Sequence, residues 1–317
     1  MTLSMENTLV KNLSKTIGNP HKNIYDVRDM GGRTGNVLFE YFFWRLLAMN
    51  NRKTFRNNLN VNDYGLVSYN PDTDKCSFPE PFHIVDNLIL KENQDILIPS
   101  LNKYKNNIIP NFPMNFKYFC NYRNILISML HNPVIDYSTD IVIHIRLDND
   151  VFSKDEPLYT VLPLSFYKNV INNIKKKYGS LQGKKIVIIG RPLDDLQKQI
   201  IKDIHDYIFK LTRATITIQT GTISEDMTTI MSAKILICAV SSFWFWPSYL
   251  SKITTEIHVP IFGQTKLYHY FENVGKDYVK VSKNRMLRIN GDYWIYGYKI
   301  NLKKKILKSN INLIYDT

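Results

Sequence analysis

Residues 141–150 read IVIHIRLDND, and the fold turns on that stretch. Its apolar run has the length and the β-branched content of a strand covered on both faces, which is the habit of parallel sheets. In open α/β sheets, ligands sit beyond the carboxyl ends of the strands. The polar tail of this strand, His144, Arg146, Asp148 and Asp150, therefore falls where a ligand is expected. An imidazole, a guanidinium and two carboxylates in seven residues offer phosphate recognition, proton transfer or metal coordination.

Downstream of this strand the pattern is regular. Strands are predicted at 141–147, 185–190, 214–218, 234–240 and 254–258, separated by helices at 164–177, 193–209, 224–233 and 242–251. Alternation of this kind predicts βαβ units, a parallel sheet and helices on both of its faces, so residues 140–258 form a Rossmann-like lobe. Upstream, residues 23–139 form a second lobe, with a helix at about 35–49 whose buried face is Phe39, Phe42, Phe43, Leu46 and Leu47. A helix near 120–131 and a short strand, ILIPS (96–100), are the other elements expected there. Residues 1–22 are expected to be poorly ordered, and 259–317, rich in Tyr and Lys, to pack back on the lobes.

A chain of 317 residues is long for one hydrophobic core, which favours two lobes. Its formal charge of +13 suits an anionic partner: a nucleotide, a nucleic acid or a membrane surface. Cys76, Cys120 and Cys238 have neither zinc-ligand spacing nor an even count, so a reducing compartment such as the cytoplasm is expected. No apolar stretch has the length of a signal peptide or a membrane span, and an integral membrane segment is not expected.

Three further clusters carry chemistry. Gly31, Gly32 and Gly35, with Arg33 and Asn36, stand where a turn meets a helix, and amides there can hold an anion. Ser241 and Ser242 follow the strand at 234–240 and precede FWFWPSYL; they can bind phosphate or cap the helix, and the aromatic run suits core packing. Asp194 and Asp195 end IIGRPLDD (188–195), where a carboxylate can accept from a nucleoside or cap the next helix.

Taken in order, these blocks resemble one family. HIRLDND is similar to the H-x-R motif of GDP-fucose-dependent fucosyltransferases, the alpha-1,2 and protein O-fucosyltransferases. GGRTGNVLFEYFFWRLLA resembles their N-terminal G-x-G-N-x-x-F-x-Y block, and LPLSFYKNVINNI, IIGRPLDD and SEDMTTIMSAKILICAVSSFWFW follow in matching order over residues 28–251. The resemblance implies a GT-B architecture, two Rossmann-like lobes around a cleft, and inverting, metal-independent transfer of fucose from GDP-fucose to a glycan or glycoconjugate hydroxyl. It needs no cofactor beyond the donor substrate. Arg146 would bind the β-phosphate, His144 would approach the diphosphate or fucose, and Ser241 and Ser242 would hold phosphate. Asp194 or Asp195 would contact guanine or ribose; Gly32, Gly35 and Asn36 would line the donor site from the other lobe.

The alpha-1,2 enzymes read H-x-R-R-G-D, whereas Leu147 and Asp148 stand at the second arginine and the glycine here. The spacing to Asp150 is nearer the protein O-fucosyltransferases, and the general base is open among Asp148, Asp150, Asp155 and Glu156. Two other classes compete. Asp148-Asn149-Asp150 also spells the D-x-D of metal-dependent GT-A enzymes that use UDP-sugars, and the net charge would suit a non-catalytic polyanion or nucleic-acid binder. The lysines are scattered along the sequence and no nucleic-acid-binding signature is present, so nucleic acid is not expected as a partner.

Overall fold

The structure, a computed structural model, describes residues 24–27, 34–50, 54–57, 59–70, 119, 122–131, 138–147, 161–162, 164–261 and 280–285. The expectations for residues 1–22, for ILIPS, for Gly32, Asp148, Asp150, Asp155 and Glu156, and for most of 259–317 lie outside the described residues. The chain divides into two compact units, residues 1–132 and 133–317.

In the first unit, β1 (Ile24–Val27) and β2 (Thr54–Asn57) pair in parallel, and α1 (Thr34–Asn50) is the crossover between them. The expected buried face of α1 is present, but Tyr41 and Trp44 on its other sides are buried as well. A helix apolar all round must be enclosed all round. Its one deep cation, Arg45, is held locally by Nη1, which donates to the Tyr41 hydroxyl at 2.9 Å and to the Val67 carbonyl. The helix expected near 120–131 is the single short α2 (Arg123–Ser128), anchored by a bridge between Leu66 and Leu130.

The second unit carries the alternation. Its elements are β3 (Ile141–His144), α3 (Leu164–Tyr178), β4 (Lys185–Ile189), α4 (Asp195–Thr212), β5 (Thr215–Gln219), α5 (Ile223–Ser232), β6 (Ile235–Ile237), α6 (Phe245–Leu250) and β7 (Glu256–Ile261). These five strands form one parallel sheet, to which β8 (Lys280–Arg285) adds at the β7 edge, in the order β5-β4-β3-β6-β7-β8. The chain builds outward from β3 to β5, then returns to the other side of β3 to lay down β6. That is the Rossmann-like order, with its switch point between β3 and β6.

Register explains the core. Ile141 stands beside Ile186 and Ile235, and Ile143 beside Ile188 and Ile237, so one face presents isoleucine in every row. Val170, Ile171 and Ile174 of α3 and Ile200, Ile201, Ile204 and Ile208 of α4 close over it, at helical spacing. Each such side chain contributes about 1.5–3 kcal/mol of transfer free energy. Side chains alternate along a strand, so Val142, His144 and Arg146 take the opposite face.

Local signals set the boundaries. Asp194 caps α4 by accepting from the Gln197 amide at 2.8 Å, and Arg213, at φ 55°, closes it in the left-handed conformation. Thr222 and Glu225 form a reciprocal capping box at the start of α5. Gly179, at φ 82°, ends α3 where a side chain would be strained. No helix among the described residues is long and apolar enough to cross a membrane.

Candidate functional site

At the switch point the chain gathers polar groups under an apolar cover. The β3 ladder continues past His144, since the Ile145 amide donates to the Ile189 carbonyl at 2.8 Å. Arg146 then turns its guanidinium over the neighbouring strand, where Nη1 donates to the Val240 carbonyl at 3.0 Å. The two strands on either side of the switch point are thus tied together at their carboxyl ends by one cation.

The segment after β6 forms the other wall. The Cys238 amide extends the pairing by donating to the His258 carbonyl at 2.8 Å, and the chain then folds into a turn. The Ser241 hydroxyl accepts from the Phe243 amide at 3.1 Å, and the Trp244 indole donates to the Ala239 carbonyl at 3.0 Å. These bonds delay the helix, so α6 begins at Phe245 rather than at 242. The aromatic run divides accordingly. Trp244, Phe245 and Trp246 are core residues, as expected, but Phe243 is half-buried and lies 5.5 Å from the His144 ring at a tilt of 54°.

His144 and Arg146 are 6% and 7% exposed, values reserved for polar groups with a fixed environment. Burial pushes the His144 imidazole down to about 3, and the positive charge of Arg146 adds to the effect. The ring is therefore neutral near pH 7, with one nitrogen as donor and the other as acceptor. Its Nδ1 is buried and has no hydrogen-bond partner among the described residues. A buried polar atom without a partner is rare enough to require a reason.

The IIGRPLDD segment takes its place one strand away. A Cβ on Gly190 would meet Ile201 Cδ1 at 3.1 Å, so glycine is what lets the end of β4 pass close under α4. Arg191 donates to the Gly221 carbonyl at 2.6 Å. Asp194 serves as the helix cap, and Asp195, 97% exposed, pairs with Lys198 at 2.9 Å. Both aspartates are engaged within their own helical turn. Gly35 and Asn36 lie in the first turn of α1, in the other unit.

One carboxylate at this end of the sheet escaped the sequence reading. Asp226 is 9% exposed, accepts from Gln219 Nε2 at 2.8 Å, and Gln219 Oε1 in turn accepts from Thr229 at 2.9 Å. Burial raises its pKa, against the opposing effects of the Gln219 bond and the Arg191 charge. The available signal was its place directly after the capping-box glutamate, in the first turn of a helix that follows a strand.

Among the described residues, no group of three or more His, Cys, Asp or Glu side chains is placed to hold a metal ion. The constellation that remains is a buried cation beside a neutral imidazole, a half-buried ring and a serine turn. Arrangements of that kind bind and polarise anionic oxygens. Comparison with family models, with curated proteins and with solved structures returned no match.

Proposed function

We propose that the chain is a glycosyltransferase that uses a GDP-sugar, GDP-fucose in the first instance, and that the carboxyl end of the 133–317 unit binds the diphosphate without a metal ion. The observation that carries this is Arg146, a buried guanidinium held against the Val240 carbonyl where β3 and β6 diverge, next to Ser241 and Ser242. Guanidinium stays cationic through the physiological range and matches phosphate oxygens in pairs. The five sequence blocks that resemble, in order, those of the fucosyltransferases support GDP-fucose as the donor. A two-lobe GT-B arrangement, with Gly35 and Asn36 reaching the donor from the first unit, belongs to the same proposal.

In this scheme the acceptor oxygen attacks the sugar's anomeric carbon as its bond to the β-phosphate oxygen breaks, and configuration inverts. Negative charge grows on the departing GDP, and Arg146 neutralises it. A donor aimed at developing charge is worth roughly 2.7–4 kcal/mol in comparable cases. The acceptor proton passes to a base, for which Asp148 and Asp150 are the carboxylates nearest in sequence. His144, with a pKa of about 3 in its present surroundings, is a weak base. An anionic diphosphate beside it would raise its proton affinity.

A thermal-shift panel of GDP, UDP and CMP with their sugars, with manganese and with EDTA, tests the proposal. GDP and GDP-fucose should stabilise the protein in EDTA, and Arg146→Ala should abolish the effect. Selective stabilisation by UDP compounds that requires manganese would replace this scheme with the D-x-D one.

A further inference from the structure

Parallel strands put all their amino ends on one side, and the fold brings to that side lysines that the sequence scatters. The last turn of α3 carries Lys175, Lys176 and Lys177, and that of α4 carries Lys210, followed by Arg213. Lys184 and Lys234, fifty residues apart in sequence, meet at Asp140 Oδ1, at 3.5 Å and 3.4 Å. One carboxylate there serves two ammonium groups, so the pair remains net positive. The second carboxylate at this end, Glu256, is taken up by Lys177 and Tyr178.

Among the described residues, the opposite end of the same sheet is not basic. Arg146, Arg191 and Lys198 stand there with Asp194, Asp195, Glu225 and Asp226. The described charges of the sheet and its helices are therefore polarised along the strand axis. Complementing helix dipoles accounts for lysines in a last helical turn. It does not account for Lys184 and Lys234, which precede strands, nor for Lys252, which is exposed beyond α6.

We propose that this amino end is a docking surface for an anionic lipid bilayer, holding the unit at the membrane with the carboxyl end turned to solution. Lysine, a flexible and strongly hydrated point charge, suits diffuse attraction to a charged plane. Nucleic-acid binders add helix amino ends and stacking rings to their lysines and arginines. Here lysine predominates, and the helices turn their carboxyl ends, not their amino ends, to this surface. Tyr178, 47% exposed, is fixed within this surface: its hydroxyl donates to Glu256 at 2.7 Å and Lys177 Nζ lies 4.4 Å from its ring centroid. The docking surface stands apart from the donor proposal, and each can fail without the other.

Flotation of the full chain with vesicles tests it, comparing phosphatidylcholine alone with vesicles holding about 30% phosphatidylserine at about 0.1 M salt. Binding should require the anionic lipid and be lost at about 0.5 M salt. Combined Lys176→Glu, Lys210→Glu and Lys252→Glu should weaken it by on the order of a hundredfold or more. Circular dichroism checks the fold of that variant, and each single reversal should weaken binding several-fold if the triple does not fold. Lys198→Glu with Lys202→Glu, on the amino half of α4, should leave binding within about threefold. Equal binding to neutral vesicles, equal loss in the α4 control, or displacement from vesicles by an equal charge of duplex oligonucleotide would overturn the proposal; the last would assign the surface to nucleic acid.

Discussion

The two ends of one parallel sheet handle charge in opposite ways. At the carboxyl end, one cation is buried, fixed by a backbone carbonyl, and strong enough to help keep a neighbouring histidine neutral. At the amino end, many cations stand in water, several sharing carboxylates at distances up to 3.5 Å. The first arrangement spends stability on a chemical environment; the second spreads charge over a surface at little cost. The net charge of +13 does not by itself point to a site, because solvent screens most of it. What matters for chemistry is the charge that the fold has taken out of water.

Substitutions can sharpen that contrast, beginning where the effect should be greatest. Arg146→Ala should lower donor-dependent turnover by about 10²–10³-fold, with Arg146→Lys only partly restoring it, because lysine cannot offer paired bonds. Steady-state rates with GDP-fucose would show this; an unchanged rate would reduce Arg146 to a structural tie between β3 and β6.

Glu256 is the exception at the amino end, since it is buried. Burial pushes its carboxyl up, but hydrogen bonds from Lys177 and Tyr178 and the nearby charges of His258 and Lys177 outweigh this and hold it below its ordinary value. Its stabilisation is present above the ordinary carboxylate pKa and is lost as pH falls through the lowered folded value. Glu256→Ala should cost about 1–3 kcal/mol in denaturant unfolding at neutral pH. Lys184→Ala, exposed before β4 and three strands from β7, should change stability by less than about 1 kcal/mol. If both mutations had similar effects, burial would not be the distinguishing variable.

His144 gives a third test through pH. Its folded pKa, about 3, lies below the ordinary 6.5, so between these values the unfolded chain binds the proton and the native state does not. Stability should therefore fall as pH drops through that window, by at most about 1.4 kcal/mol per pH unit. Between pH 7 and pH 4 the melting temperature of the wild type should fall relative to that of His144→Phe. Parallel curves would mean that the ring is not held neutral by its surroundings.

Much of the second unit was legible in the sequence because β-branched runs and helical spacing are local signals. The strand at 141, the helices over α3 and α4, and the strands at 185 and 215 lie within a few residues of expectation. Their ends were less legible. The run IVIHIRL suggests a strand to 147, yet the strand ends at His144 with one further ladder bond at Ile145, and Arg146 is diverted to a carbonyl 94 residues away. The helix after Ser242 starts late, with a serine hydroxyl competing for the Phe243 amide. β8, with lysines and an arginine in a six-residue strand, carries no apolar pattern to announce it.

The candidate site was half legible. His144, Arg146, Ser241 and Ser242 could be named from their positions at strand ends, and parallel pairing of β3 with β6 places those ends side by side. Asp194 illustrates the limit: a carboxylate before a helix has two plausible uses, and the Gln197 amide shows that capping is one it fulfils. Asp226 and Phe243 were not marked, because burial of a polar group and the tilt of a ring on its neighbour depend on contacts between elements. The basic end was invisible for the same reason: only the sheet register brings Lys184 to Lys234.

The most direct measurement is a calorimetric titration of GDP into the wild-type chain and into Arg146→Ala, both in EDTA, with circular dichroism to confirm that the variant is folded. Saturable binding to the wild type that is lost in the folded variant is the predicted result. Equal binding to both, or binding that appears only when manganese is added, would contradict the assignment of the buried guanidinium between β3 and β6 as the phosphate clamp.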